Sequence, residues 1–145
     1  MNFVFLEKDA SNYKEAIRLC AELLQEQGYV KDTFNKACLA REKKFPTGVP
    51  VVGGLAIPHA DKTHVIKSCL CLLKLPRPVN FNRIDDPSET VAVSFVVCIA
   101  IDSSSNHSSV LTKLIRAFQD ENFVARLSQS SSEETFRIFK DKMAA

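Results

Sequence analysis

The sequence has no long apolar run and no cluster of charge of one sign. Its longest apolar stretch, Val91 to Ile101, includes Ser94 and falls well short of the ~20 residues that a membrane-spanning helix needs. Basic residues are scattered among acids and the net charge is only +2, whereas nucleic-acid binding calls for a basic face. The N-terminus reaches charge at Glu7 without a signal-peptide layout. We therefore expect a cytoplasmic protein with no membrane insertion and no bound nucleic acid.

Cysteine pairs with redox or metal-site spacing are also missing. The five cysteines include no Cys-x-x-Cys pair and lie mostly within apolar patterns, as buried reduced thiols do. No internal repeat or low-complexity linker divides the 145 residues, and this length is typical of one domain. We therefore expect a single domain over residues 1–145.

Helical spacing is present near the start of the chain. One helix is predicted to begin after Ser11 and to end near Gly28. Asp32 is expected to cap a second helix, whose apolar stripe begins at Phe34. Arg41 lies seven residues further along the same stripe. Its guanidinium is therefore predicted to point along the packed side of the helix and not straight into water.

Extended structure is predicted in the middle of the chain, and helices in its last third. The extended segments are Leu55–Ile57, Lys67–Leu75 and Thr90–Ile101. The last of these is apolar on both alternating faces, which is typical of a strand covered on both sides. Short serine-rich loops, Ser103–Ser105 and Ser130–Ser132, are expected to cap helices, and Ser131 with Glu134 forms a capping box. The pattern predicts an α/β domain with one sheet sandwiched by helices.

The three histidines are the first candidates for chemistry. His59 follows Pro58 at the end of a predicted strand, and the proline stiffens the backbone that leads into it. Such a histidine can present one ring nitrogen to a partner, or it can be satisfied by backbone hydrogen bonds near a turn. His64 is expected to lie in a loop, in a structural or peripheral role.

His107 and Arg41 are the other two candidate site residues. His107 extends the stripe of Val110 and Leu111 backwards into the first turn of a helix, where unpaired N–H groups and the helix dipole favour an anion. It can instead cap a neighbour. The planar donor fork of Arg41 suits phosphate or carboxylate oxygens, but the same side chain also fits a salt bridge or a helix C-terminal cap.

These residues lie within a recognisable pattern. The segment from Arg41 to Gly48, followed by Ile57-Pro58-His59, closely resembles the type-2 enzyme IIA domains of the sugar phosphotransferase system, the mannitol, fructose and galactitol group. The stretch His107 to Leu114 is similar to the segment that bears this family's second active-centre histidine. Together with His64 and the run from Phe81 to Ser94, the pattern looks most like the galactitol-specific subunits.

The resemblance implies a phosphoryl carrier. In that family the A domain takes a phosphoryl group from the phosphohistidine of HPr and delivers it to a cysteine of the IIB domain. When the family's roles are carried over to this sequence, the resemblance implies that His59 is the phosphorylated nucleophile, His107 its neighbour and Arg41 a cation beside the phosphate. The family fold is a mixed β-sheet with helices on both faces. The chain has no cysteine in a Gly-rich phosphate loop and no membrane region, so IIB and the membrane component IIC are expected to be separate proteins.

The chemistry expected of such a histidine is simple. Neutral imidazole is a good nucleophile near pH 7. A hydrogen bond from its Nδ1–H to a backbone carbonyl would fix the tautomer and leave Nε2 free to attack. We also expect the site to be exposed and to have few fixed charges, so that the phosphoryl group can leave again.

Two other functions fit parts of the sequence. A regulatory module of the same fold would be phosphorylated on His59 but would signal its state to another protein. A metal-dependent hydrolase is suggested by His59-x-Asp61-x-x-His64, with His107 left to supply a further imidazole. The phosphocarrier interpretation itself requires no metal and no cofactor.

Overall fold

A computed structural model describes residues 1–103 and 106–145 of the chain. The strands are β1 (Asn2–Glu7), β2 (Gly48–Val49), β3 (Leu55–Ala56), β4 (Cys69–Asn82) and β5 (Thr90–Ala100). The helices are α1 (Tyr13–Glu26), α2 (Phe34–Lys44), α3 (His107–Gln119), α4 (Glu121–Gln129) and α5 (Ser132–Ala144), with a short 3-10 helix at Lys62–His64. Across these described ranges, no helix is long and apolar enough to span a membrane.

The strands form one mixed sheet in the order β1-β4-β5-β3-β2. The β1–β4 and β3–β5 pairs are parallel, and the β4–β5 and β2–β3 pairs are antiparallel. Because β3 and β5 are parallel, their carboxyl ends lie at the same edge of the sheet. The chain continues from β3 to His59, and from β5 to α3, which begins at His107. The topology therefore brings these two distant segments together.

Alternate residues of the central strands face two separate cores. On β4, Cys71 and Leu73 pack beneath α1 and α2, whereas Leu70 and Leu72 pack beneath α3, α4 and α5. Helices thus cover both faces of a mixed sheet, and the predicted fold class is confirmed. All five cysteines are buried and unpaired in the described part of the chain, and all five lie in the core between the sheet and the α1–α2 layer.

Side chains of the loops cap the C-terminal helices. Ser131 caps α5 as predicted, since its hydroxyl oxygen accepts a hydrogen bond from the Glu134 N–H at 3.2 Å. In the other predicted capping loop, Ser104 and Ser105 lie outside the described residues. The cap of α3 is Asn106, whose side-chain oxygen accepts from the Ser109 N–H at 3.2 Å.

The start of α2 differs from the prediction. Asp32 was expected to be its cap, but the residue before the helix is Thr33, and no side chain makes a capping hydrogen bond there. The first N–H of the helix, at Phe34, is instead donated to the carbonyl of Lys31 at 3.1 Å. A backbone turn therefore replaces the side-chain cap.

Candidate active site

The backbone around His59 is fixed by β5. The Ile99 N–H donates a hydrogen bond to the Pro58 carbonyl at 2.9 Å, and His59 pairs with Ile99 as an isolated parallel bridge. The Nδ1 atom of His59 lies 2.9 Å from the carbonyl oxygen of Ile57. Because a carbonyl can only accept, Nδ1 carries the ring proton and Nε2 presents a lone pair. The backbone carbonyl that is expected to accept from Nδ1 is that of Ile57.

Arg41 contacts the other ring nitrogen. Its Nε–H donates a hydrogen bond to Nε2 of His59 at 3.0 Å. Arg41 lies in the last turn of α2, and its guanidinium carbon is 5.4 Å from the centre of the Phe45 ring, within cation–π range. The expectation that Nε2 is free is therefore wrong for this state, because Arg41 has to leave Nε2 before that atom can act as a nucleophile.

His107 packs against the same ring. The centroids of the His59 and His107 rings are 4.6 Å apart, and the ring planes meet at 61°. As the first residue of α3, His107 lies where unpaired N–H groups and the positive end of the helix dipole are found. The structure thus brings His59, His107 and Arg41 into one cluster.

A cleft of about 370 Å³ opens at this cluster, with Lys62, Asp61 and Asp102 also in its walls. His59 forms part of its inner surface and is only 8% exposed. The His59 ring is therefore more enclosed than expected, although the cleft is walled by exposed residues such as Arg41 and Lys62. Any group that reacts with the ring has to enter the cleft to reach it.

Burial and neighbouring cations set the charge of the two histidines. The pKa of His59 is lowered from 6.5 to about 4, chiefly by burial and further by Arg41 and His107, while the hydrogen bond to Ile57 opposes the shift. Burial also lowers the pKa of His107, and Arg41 adds to the effect. Both rings are therefore neutral near pH 7, and His59 keeps the lone pair that a nucleophile needs.

Glu42 is a buried residue beside the cluster that is not among the predicted site residues. This carboxylate is 4% exposed, and its two oxygens accept hydrogen bonds from the N–H of Thr47 at 2.7 Å and from its hydroxyl at 2.8 Å. Its burial could be predicted from the sequence, because Glu42 follows Phe34 and Cys38 at intervals of four. These three are the buried residues of α2. Arg41 itself lies beside this stripe, and the residue as a whole is exposed.

His64 lies outside the cluster. Its Nδ1 is 2.8 Å from the Thr33 hydroxyl oxygen, and His64 is not part of the cleft wall. In residues 1–103 and 106–145, no group of three or more His, Cys, Asp or Glu side chains is arranged to hold a metal ion. His59, Asp61 and His64 therefore do not form the ligand set that the metal-dependent alternative requires.

Comparison with known proteins identifies relatives along almost the whole chain. The family model described as "Phosphoenolpyruvate-dependent sugar phosphotransferase system, EIIA 2" matches residues 1–142. The galactitol-specific EIIA component of Escherichia coli K12 is 33% identical over 102 residues, which are 70% of this chain and 67% of the relative. The mannitol-specific enzyme IIA component of Staphylococcus aureus N315 is 34% identical over 142 residues, 95% of this chain and 92% of the relative.

Solved structures agree with these sequence matches. Enzyme IIA of the mannitol system from Escherichia coli, in its complex with phosphorylated enzyme IIB, superposes with a TM-score of 0.76 at 29% identity, covering 97% of this chain and 94% of that chain. The crystal structure of the same organism's mannitol IIA gives a TM-score of 0.73 at 30% identity, with 94% of each chain covered. This chain therefore belongs to the type-2 EIIA family of the phosphoenolpyruvate-dependent sugar phosphotransferase system, whose members are phosphotransferases that carry a phosphoryl group on histidine.

Proposed function

We propose that this protein is a cytoplasmic carrier that accepts a phosphoryl group from phosphorylated HPr on Nε2 of His59 and passes it to a cysteine of a separate IIB subunit. The observation that carries the proposal is the fixed tautomer of His59. Its Nδ1–H is held by the Ile57 carbonyl, and its unprotonated Nε2 is held by a single hydrogen bond from a cation. A ring in this state is a nucleophile that needs no base to activate it.

The transfer step moves no proton when the donor phosphohistidine ring carries a proton on its other nitrogen, because the HPr imidazole then leaves neutral and the ring of His59 becomes the phosphoimidazolium. The Nε2 lone pair of His59 attacks the phosphorus of the donor phosphohistidine and forms a new N–P bond. The old N–P bond breaks, and its electron pair returns to the imidazole of HPr. The ring proton of His59 stays on Nδ1 throughout and is donated in a hydrogen bond to the Ile57 carbonyl. Phosphoryl transfer of this kind depends mainly on in-line positioning and on stabilisation of the charged oxygens.

Arg41 and His107 are proposed to provide that stabilisation. The incoming group carries negative charge, so it draws the Arg41 guanidinium from Nε2 of His59 towards its own oxygens. His107 adds a ring N–H donor, and the start of α3 adds the positive end of a helix dipole. Both histidines are neutral near pH 7, so Arg41 is the permanent charge of the cluster. Asp61 and Asp102 in the cleft wall offset the charges of Arg41 and Lys62, so the phosphorylated state stays labile enough to pass the group on.

The proposed pathway continues through IIB to a membrane IIC component that imports a sugar or sugar alcohol. A galactitol-like substrate is supported by the 33% identity to the galactitol-specific component and by the pattern from Arg41 to Gly48. The 34% identity to a mannitol-specific component supports the wider class of sugar alcohols. Transfer from this protein to purified galactitol IIB and mannitol IIB, compared side by side, tests the choice.

The experiment that tests the carrier role uses phosphorylated HPr as donor and IIB as acceptor. Wild-type protein should take up the phosphoryl group and then transfer it to the IIB cysteine. His59→Gln should take up none, whereas His64→Gln, a histidine change outside the cleft, should behave as wild type. Uptake at the wild-type rate by folded His59→Gln would refute the proposal. Uptake without onward transfer to any IIB would favour the regulatory alternative.

A further inference from the structure

Glu42 is the most deeply buried acidic side chain that the transfer mechanism does not use. It is 4% exposed, one residue from Arg41, and at the end of α2. Burial raises the pKa of Glu42, while its hydrogen bonds from Thr47 and the charge of Arg41 oppose the increase. A carboxylate removed from water to this extent is costly unless its oxygens are paired. The hydrogen-bond partners of Glu42 therefore indicate which part of the structure it holds in place.

Both oxygens of Glu42 bind the same residue, Thr47. One oxygen accepts from the Thr47 N–H at 2.7 Å and the other from the Thr47 hydroxyl at 2.8 Å. A hydroxyl has one proton, so the Thr47 oxygen is left with lone pairs and can only accept from its other neighbours. The two bonds therefore fix both the position and the orientation of the Thr47 hydroxyl.

The Thr47 hydroxyl leads directly to His59. Its oxygen accepts the Ile57 N–H at 3.2 Å, and the Thr47 carbonyl shares the same N–H at 3.4 Å. The carbonyl of Ile57 in turn accepts Nδ1–H of His59 at 2.9 Å. Thr47 is 3% exposed and Ile57 is 1% exposed, so water cannot replace these partners without opening the core. A continuous chain of four hydrogen-bonded residues thus runs from Glu42 through Thr47 and Ile57 to the imidazole.

The same chain also bears on Arg41. Arg41 and Glu42 are adjacent in the last turn of α2, and Thr47 follows that helix by a short turn. Fixing Glu42 to Thr47 therefore fixes the end of α2 relative to the segment that carries His59. The Arg41 Nε to His59 Nε2 distance of 3.0 Å spans these two units. The distance therefore depends on the hydrogen bonds between Glu42 and Thr47, which hold the end of α2 against the segment that carries His59.

We infer that Glu42 is a positioning residue for phosphoryl transfer, which acts through Thr47 to hold the tautomer of His59 and the contact between Arg41 and His59. The inference rests on the proposed function for its effect on rate, but the tautomer can be observed without any partner protein. Loss of the link should loosen the Ile57 backbone and let the ring exchange its proton between nitrogens. Displacement of reacting groups by about 1 Å is enough to slow such a reaction by about 100-fold.

The test compares two near-isosteric variants, Glu42→Gln and Thr47→Val, with Thr47→Ser as the conservative change. Thr135→Val is the matched control, because Thr135 is 0% exposed and donates its hydroxyl to the Leu127 carbonyl at 3.0 Å on the opposite face of the sheet. Ring nitrogen chemical shifts of His59 report the tautomer, and single-turnover uptake from phosphorylated HPr reports the rate.

Glu42→Gln and Thr47→Val should mix the two tautomers and reduce the uptake rate by about 10- to 100-fold. Thr47→Ser should stay close to wild type, and Thr135→Val should lower stability without moving the His59 shifts. Folded Glu42→Gln and Thr47→Val variants with wild-type shifts or wild-type rates would overturn the inference. So would failure of both to fold, which would assign the link to fold stability alone. If wild type itself takes up no phosphate, the proposed function fails, and the shifts still decide whether the link holds the ring.

Discussion

The Nε–H of Arg41 points at the lone pair of His59 Nε2 across 3.0 Å. The cation proposed to meet the phosphoryl group thus occupies, in the unphosphorylated protein, the atom to which that group is to be attached. The contact orients the imidazole and, together with burial, opposes its protonation. When the phosphoryl group enters, the guanidinium has only to exchange its hydrogen bond to a ring nitrogen for hydrogen bonds to phosphoryl oxygens. The positive charge of Arg41 is thus already in place.

Replacing Arg41 should change both the pKa of His59 and the rate of transfer. In Arg41→Met the pKa of His59 should rise above about 4, because a neighbouring cation is lost and the ring becomes more exposed. Phosphoryl uptake should fall by about 100-fold, the usual effect of removing one stabilising donor. Arg41→Lys keeps the charge without the planar fork and should be intermediate. An NMR titration of His59 and single-turnover uptake measure both effects, and an unchanged His59 pKa in Arg41→Met would contradict this account of the contact.

Replacing His107 should slow transfer without abolishing it. The ring of His107 lies 4.6 Å from that of His59, centroid to centroid, and it supplies a donor but not the nucleophile. His107→Gln retains a side-chain N–H and should reduce uptake from phosphorylated HPr by less than His107→Ala, for which we expect about 10-fold or more. Complete loss of uptake in a folded His107 variant would mean that the roles of the two histidines are reversed.

The low pKa of His59 should make stability depend on pH. Unfolding returns the ring from a pKa of about 4 to its usual 6.5, so below pH 6.5 the unfolded chain binds more protons than the folded one. The free energy of unfolding should therefore fall as the pH drops from about 6.5 to about 4, by about 3 kcal/mol in total from this residue.

His59→Gln is the control for this effect, since it keeps the other titrating groups, Glu42 and His107 included. Urea unfolding of both proteins between pH 7 and pH 4 gives the difference. Wild type should lose stability relative to the variant as the pH falls. Parallel curves would show that His59 is not held neutral by the fold.

Gly54 should be the glycine that tolerates substitution least on the path to His59. Its φ is +72°, and an added Cβ would lie 1.9 Å from the carbonyl oxygen of Ala92, just before β3. Gly28 has a similar φ of +83° but open space around it. Gly28→Ala should cost about 1–2 kcal/mol from backbone strain alone, and Gly54→Ala about 4 kcal/mol or more. Equal losses in urea unfolding would contradict the close approach of β3 to β5.

The sequence predicts the elements whose pattern is local. The stripe of α1, the cap of α5 at Ser131 and the doubly covered strand β5 are all formed as expected. The edge strand β1 was missed, because Phe3 and Phe5 face one core while Val4 and Leu6 face the other. A strand buried on both sides shows no alternation in its sequence.

Non-local partners explain the remaining differences. Strand β4 continues to Asn82, beyond its predicted end at Leu75, although Pro76 and Pro78 follow. Its pairing with β1 ends at Lys74, and its register with β5 shifts between Lys74 and Val79, so the prolines interrupt no regular ladder.

At the site, the resemblance to the type-2 enzyme IIA domains predicts a cluster of His59, His107 and Arg41, but not its internal contacts. The Arg41 bond to Nε2 and the burial of His59 depend on how α2 packs against the exit from β3. The role of Glu42 is not predictable from residue type, because its hydrogen-bond partner Thr47 lies beyond the end of α2. In α2 the buried member of that last turn is the carboxylate.

The central claim is that His59 itself carries the phosphoryl group, and mapping the modification tests it most directly. The protein is mixed with phosphorylated HPr, digested under alkaline conditions and analysed by mass spectrometry for acid-labile phosphate. The account predicts a single phosphorylated position, His59, that disappears on brief acid treatment and is lost in His59→Gln. Stable phosphate on His107, His64 or a serine, with His59 unmodified, would contradict it.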